Sequence, residues 1–321
     1  PSTPIPSELE PIISALSDIA ALSPHLDHSH QKEALDFLER VIQEHDLHLN
    51  GLPEKKAYDF LLRLGVFDRR TNLSVIRHRP PTDFSPELLA EADLLRLPDT
   101  YEPIRVDLTS LNSFTIDDVS TRDMDDALSL VKEREGFTLY VHVSDVGSFL
   151  TAGCALDMEA KRRATSLYLP DQKIHMFPQR LSEDVFSLVV GKVRPCITCK
   201  FGISHSYQVQ STEIMLSLIN VNERFDYDQI DQLNPGNYWE FDVLHQIAAE
   251  REAARIGNGG FKVNKRDVAV SVDENGDVKI KDYDEDSPSR ALIGEMMILA
   301  NESIAQFCND NGLCVPFRGQ D

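Results

Sequence analysis

The feature that most constrains this chain is an acidic run, Thr115-Ile-Asp-Asp-Val-Ser-Thr-Arg-Asp-Met-Asp-Asp-Ala-Leu128. It places five carboxylates in ten positions, Asp117, Asp118, Asp123, Asp125 and Asp126. Apolar residues flank it on both sides, ending with Ala127-Leu-Ser-Leu-Val131. That flanking predicts a bent loop between two strands rather than a solvated helix. Carboxylates gathered this closely repel one another, and each is pushed toward protonation unless a cation is present. Hard divalent metals bind through such oxygens, and Mg²⁺ characteristically takes one or two carboxylates with waters and phosphate oxygens. Two ions ~3.5–4 Å apart can clamp the attacking and leaving oxygens of a phosphodiester. The spacing alone leaves two other readings open, an acidic surface loop and a lone Ca²⁺ loop. It excludes an EF-hand, since the sixth position lacks Gly and the twelfth lacks Glu.

Residues 1–100 read as a helical region. Apolar residues recur at helical spacing in Glu8–Leu22 and Glu33–Leu49, with Leu35, Leu38, Val41 and Ile42 on one face. A third helix over Glu54–Leu64 is stopped by Gly65, and a fourth starts at Ser85 as N-cap with Pro86 at its first position. Between them Val66–Pro81 carries Arg69, Arg70, Arg77, His78 and Arg79, the most basic stretch of the chain. Helices followed by a basic segment suggest a winged-helix-like nucleic-acid binder or a plain helical linker domain. His25, His28 and His30 are read as a solvated loop. Leu97–Pro103 is read as the linker into a second domain, 101–321. That domain opens with strands over Arg105–Leu108, Ser113–Ile116, Ala127–Val131 and Thr138–Val143. A helix over Asp157–Ser166 carries Lys161, Arg162 and Arg163, available to phosphates or to solvent. Helices follow over Asn237–Ile256 and from Ser287 to Gly312, and Asp273–Asp277 reads as a hairpin turn.

The acidic run resembles the catalytic loop of the ribonuclease II/ribonuclease R (RNB-domain) exoribonucleases: Thr-Ile-Asp, then Asp-x-Asp-Asp six residues on, then an apolar strand. Asp117, Asp123, Asp125 and Asp126 all have a match. The resemblance continues in order through Leu139–Val146, Leu156–Asp171, Met176–Ser182, Phe186-Ser-Leu188 and Arg224–Gln229, covering about residues 103–321. It implies an α+β fold: a helical N-terminal domain, then an RNB catalytic domain with a mixed sheet and surrounding helices, incomplete at its C-terminus. It implies a 3′→5′ exoribonuclease that hydrolyses single-stranded RNA to nucleoside 5′-monophosphates. Asp117, Asp123, Asp125 and Asp126 would organise Mg²⁺, with Mn²⁺ as the alternative ion, and Asp125 and above all Asp126 would serve the chemistry. Tyr168 and Tyr227 fall where the family's tyrosines hold terminal bases; without the resemblance, both would be read as core aromatics. Asp118 receives no role.

Two departures stand out. The family's usual N-terminal cold-shock pattern is replaced by helices, as in cyanobacterial and organellar members. Its Arg in a Ser-Pro-Ile-Arg-x-Tyr context does not occur up to Asp321. The chain is therefore expected to be an N-terminal portion of a longer protein. A net charge of −21 is unusual for an RNA binder, whose affinity normally comes from Lys and Arg on phosphates. It keeps open the alternative of a non-catalytic RNB-type scaffold that binds RNA. A haloacid-dehalogenase-type phosphatase is excluded, because no Thr follows the Asp-x-Asp. Five cysteines at irregular spacing predict a reduced, intracellular protein, cytoplasmic or organellar. Cys196-Ile-Thr-Cys199 reads as buried strand rather than a zinc or redox motif. No apolar run of 18 residues occurs, so no membrane partner is expected.

Overall fold

The computed structural model describes residues 5–96, 104–261, 268–273, 275–282 and 287–317. The linker expected at 97–103 and the last four residues lie outside this set. In chain order the helices are α1 (Glu10–Ala20), α2 (His28–Glu44), α3 (Pro53–Arg63), α4 (Leu73–His78), α5 (Pro86–Leu94), α6 (Ala155–Arg163), α7 (Tyr227–Asp231), α8 (Trp239–Gly257) and α9 (Pro288–Asp310). The strands are β1 (Val106–Asp107), β2 (Ser113–Asp117), β3 (Asp126–Glu133), β4 (Gly136–Ser144), β5 (Leu167–Tyr168), β6 (Lys173–Ile174), β7 (Val193–Ser204), β8 (Val209–Asp226), β9 (Val268–Val272) and β10 (Val278–Asp282). Two compact units result. One comprises residues 1–83, 167–174 and 268–281; the other comprises 84–166, 175–267 and 282–321.

The first unit buries the apolar faces of α1, α2 and α3 around Leu16, Leu38 and Leu61. The Asp27 side chain caps α2 by accepting from Ser29 N and His30 N, so His28 and His30 start a helix rather than sitting in a loop; both remain exposed. The basic stretch also contains a helix, α4, capped by Asn72. Its arginines are partly committed: Arg77 Nε donates to the Ala21 carbonyl, and Arg79 pairs with buried Asp18 at 2.5 Å.

In the second unit β2, β3, β4, β7 and β8 form a sheet that closes on itself, because the 18-residue β8 pairs with both β7 and β2. β8 runs parallel to β1 and β2 and antiparallel to β7. The β3–β4 turn depends on Gly136. Its φ is +144°, and a Cβ there would stand 1.9 Å from the Ile203 carbonyl oxygen. One face of the sheet packs Phe114, Leu128, Leu139 and Phe201 against Leu244 and Ile247 of α8 and Leu292 and Met296 of α9. The other face holds Ala127, Cys196, Ile219 and Val221. It also carries a buried polar chain across all five strands. Ser113 Oγ meets Ser129 Oγ (2.7 Å), which meets His142 Nε2 (3.0 Å); His142 Nδ1 meets Thr198 Oγ1 (2.8 Å), which meets Ser217 Oγ (2.6 Å). Full burial drives the His142 imidazole down to about 3, so it stays neutral.

Cys196 and Cys199 are three apart on β7 and therefore face opposite sides, one in each core. Burial pushes the Cys199 thiol up to about 11 and the Cys196 thiol further. Among the described residues no helix is long and apolar enough to cross a membrane.

Candidate functional site

β2 ends on Asp117 and β3 begins on Asp126, so the acidic run spans one end of the closed sheet. Three sets of contacts fix the intervening loop. Arg224 NH2, on neighbouring β8, donates to the carbonyls of Asp118 (3.0 Å), Val119 (3.4 Å) and Thr121 (2.7 Å). Buried Ser187 accepts from Met124 N (3.0 Å) and donates to the Arg122 carbonyl (3.0 Å), while Leu188 N donates to the Met124 carbonyl. Met124 itself is buried as a plug in the sheet's second core. Ser144 N donates to the Asp125 carbonyl. The backbone between the acids is therefore held by side chains of Arg224 and Ser187 and by backbone N–H groups of Leu188 and Ser144.

The carboxyls behave as a set. Burial is the largest influence raising Asp126, to about 7, followed by the charges of Asp117 and Asp125. Asp117 is raised to about 6, first by burial and then by Asp125, Asp123 and Asp118, against the opposing pull of Arg224. Asp125 is pushed up by desolvation and by Asp123. The result is a cluster of acids under mutual repulsion, in which Asp126 is only partly ionised near neutral pH.

Tyr227 joins this set. Its hydroxyl is raised to about 12 by burial and by the nearby charges of Asp117, Asp126 and Asp118. It opens α7, whose Asp226 forms a capping box with Gln229, and Asp226 is the register partner of Asp117 in the parallel β2–β8 pair. Asp231 at the end of α7 accepts from Ser287 Oγ (2.5 Å) and Ser289 N (2.9 Å), and Ser289 Oγ donates to the Tyr227 carbonyl (3.2 Å). These bonds bring the start of α9 over Tyr227. Arg290 then lies with its guanidinium carbon 4.1 Å from the Tyr227 ring centroid and donates to Asp118 Oδ2 at 2.8 Å.

Of the residues expected from sequence, Asp117, Asp123, Asp125, Asp126 and Tyr227 are brought together. Tyr168 is not part of this set; it belongs to the first compact unit, exposed on β5, with Lys173 Nζ 5.5 Å from its ring centroid. Of the cations of α6, Arg163 turns to structural work, while Lys161 and Arg162 stay on the exposed face. Arg162 and Arg163 both pair with Glu159, and buried Arg163 covers the Phe84 ring at 3.6 Å. Sequence reasoning missed the roles of Arg224, Ser187, Arg290 and Asp118. Each depends on a partner more than 60 residues away; Ser187 and Arg224 fall in segments that carry the family resemblance, but those segments do not show what the two side chains hold.

Among the described residues no group of three or more His, Cys, Asp or Glu is already arranged to hold a metal ion. The chemistry of the donor set nevertheless fits a hard cation. The donors are carboxylate oxygens whose mutual repulsion a cation would relieve, and Mg²⁺ needs only one or two of them directly when water and phosphate complete its shell.

The RNB domain model matches residues 105–321, which is more than half of the chain. An uncharacterized ribonuclease of Synechocystis is 33% identical over 309 residues, covering 93% of this chain and 44% of the relative. Ribonuclease R of Thermotoga maritima is 32% identical over 251 residues, covering 74% of this chain and 35% of the relative. The solved structure of Mycoplasma genitalium RNase R in complex with ribose methylated single-stranded RNA superposes with a TM-score of 0.71. It is 23% identical, and the match covers 77% of this chain and 40% of that one. The chain thus spans less than half the length of the relatives it matches. With the acidic loop, its flanking strands and the matched segments all in place, the chain belongs to the RNB-domain family of ribonuclease II and ribonuclease R.

Proposed function

We propose that this chain carries the hydrolytic centre of a 3′→5′ exoribonuclease that degrades single-stranded RNA to nucleoside 5′-monophosphates. The observation that carries the reading is the loop between β2 and β3. It presents Asp117, Asp123, Asp125 and Asp126 together, with Asp117 and Asp126 raised to about 6 and 7. Such a cluster repels RNA phosphate unless a divalent cation intervenes, which supports Mg²⁺, with Mn²⁺ as the alternative. When bound, the ion would supply charge balance at the phosphorane and activate water.

Asp117, Asp123 and Asp125 would hold that ion directly or through water. Asp126, the most strongly raised acid of the set, would orient the attacking water and take up its proton. The water oxygen attacks phosphorus and the bond to the preceding nucleotide's 3′ oxygen breaks. That oxygen takes a proton from solvent, Asp126 returns its proton to solvent, and the released nucleotide keeps its 5′ phosphate. Tyr227 would hold the terminal nucleotide beside these acids. Tyr168, exposed on β5, would stack a base, a contact worth ~1–3 kcal/mol and tolerant of sequence. The relatives named ribonuclease support this reading.

The test is degradation of a 5′-labelled single-stranded RNA by the full-length protein with and without Mg²⁺, beside Asp126→Asn. A ladder shortening from the 3′ end, dependent on Mg²⁺ and lost in the variant, is expected. RNA binding with no shortening would instead assign the chain to a non-catalytic scaffold.

A further inference from the structure

We propose that Arg290 is a substrate-positioning residue that exchanges Asp118 for an RNA phosphate while fixing the plane of the Tyr227 ring. The proposal rests on the function proposed above and assigns roles to Arg290 and to Asp118, the one acid of the run that has none there. Arg290 is a cation set against an acidic cluster. Its guanidinium covers Tyr227 at 4.1 Å and pairs with Asp118 at 2.8 Å. A planar guanidinium stacked on a ring keeps its donors along its edge, where they match the two oxygens of a phosphate.

Exposure decides whether exchange is feasible. The Arg290 side chain is 34% exposed and that of Asp118 is 38% exposed. An ion pair this open to water is weak, so an incoming phosphate can displace the carboxylate at little cost. Asp118 would then hold Arg290 in place before RNA arrives and screen it from the other acids. The mount for Arg290 is independent of its side chain, because Ser287 Oγ caps its backbone N–H and Asp231 anchors the start of α9. Replacing the side chain therefore leaves the helix start intact. Tyr227 is close enough to Asp117 and Asp126 to feel their charges, and the guanidinium over its ring belongs to the residue that would take the phosphate.

The test uses the full-length protein on a single-stranded RNA, with kcat, KM and melting temperature for Arg290→Ala, Arg290→Lys, Asp118→Asn and Tyr227→Leu. Kd for the same RNA is measured without divalent metal. Arg290→Ala should raise KM and Kd about tenfold, equivalent to the loss of one charge-assisted contact, with kcat changed far less and melting unchanged. Arg290→Lys should recover little of this, because an ammonium lacks the planar fork. Asp118→Asn should lower KM, since phosphate no longer competes with a carboxylate. The Arg290→Ala/Tyr227→Leu double variant should be little worse than either single variant. A wild-type KM for Arg290→Ala, full rescue by Lys, or an Asp118→Asn KM raised or unchanged would overturn the proposal. If the wild type binds RNA without cleaving it, the functional reading fails while the Kd series still decides the role of Arg290.

Discussion

Replacing Asp126 by Asn should stabilise the metal-free chain, by an amount that depends on pH. The carboxyl has an ordinary value of 3.8 and a folded value of about 7, raised mainly by burial and then by Asp117 and Asp125. A raised folded value means that the native state holds its proton more tightly than the unfolded state. Stability is then unaffected below the unfolded value, falls as pH rises through the window from 3.8 to about 7, and levels off above it. At 1.36 kcal/mol per pH unit, the ionised carboxylate costs the fold roughly 4 kcal/mol at pH 8. Relaxation of the neighbouring acids reduces this to about 2–4 kcal/mol. Asn is nearly isosteric with the protonated acid and never ionises. Urea denaturation of wild type and Asp126→Asn in EDTA, at pH 4, 5, 6, 7 and 8, should show only a small difference, about 0.6 kcal/mol, at pH 4. The variant's advantage should grow by up to about 1.4 kcal/mol per pH unit and plateau near pH 7–8. Adding Mg²⁺ should stabilise the wild type more than the variant and shrink the gap. A variant equally or less stable at pH 8, or an advantage independent of pH, would refute the claim that the loop holds its acids under electrostatic strain.

Three further outcomes follow from the same contacts. Gly136→Ala should destabilise the chain by several kcal/mol, since its Cβ would overlap the Ile203 carbonyl oxygen at a φ that L-residues avoid; a cooperative melt within ~1 °C of wild type would contradict the turn. His142→Gln should weaken acid sensitivity. The wild-type imidazole, depressed to about 3, binds its proton mainly in the unfolded state, so its contribution is lost as pH falls from 6.5 toward 3; identical acid denaturation midpoints would rule that out. Arg224→Ala should cost about 1–3 kcal/mol by leaving the Asp118, Val119 and Thr121 carbonyls without this donor, and hydrogen exchange across residues 118–125 should speed up; unchanged exchange would show the loop to be held by other contacts.

Much of this molecule is legible in its sequence. The apolar segments flanking the acidic run announce β2 and β3, Ser85-Pro86 and Ser287-Pro288 announce the starts of α5 and α9, and the strand pattern around Cys196 and Cys199 announces their burial. Local signals carried these elements because caps and strand periods act over a few residues. The polar chain from Ser113 to Ser217 was not legible, because it is written one residue per strand across five strands. Nor was α4, where Asn72 caps a helix inside what reads as a basic linker. His28 and His30 read as loop because they follow Pro24 closely, and the helix-starting role of Asp27 shows only in its bonds to Ser29 N and His30 N. The acids themselves were found at once, but the residues that hold them were not. Arg224, Ser187 and Arg290 reach the loop from segments that a one-dimensional reading keeps apart.

The central claim, that these acids direct hydrolysis of RNA by water at the terminal phosphodiester, is tested most directly by isotope. The full-length protein would digest single-stranded RNA in H₂¹⁸O with Mg²⁺, and the released mononucleotides would be weighed by mass spectrometry. The account predicts nucleoside 5′-monophosphates carrying one ¹⁸O on phosphorus, with none formed by Asp126→Asn. Products ending in cyclic or 3′ phosphate, or equal release by the variant, would contradict it.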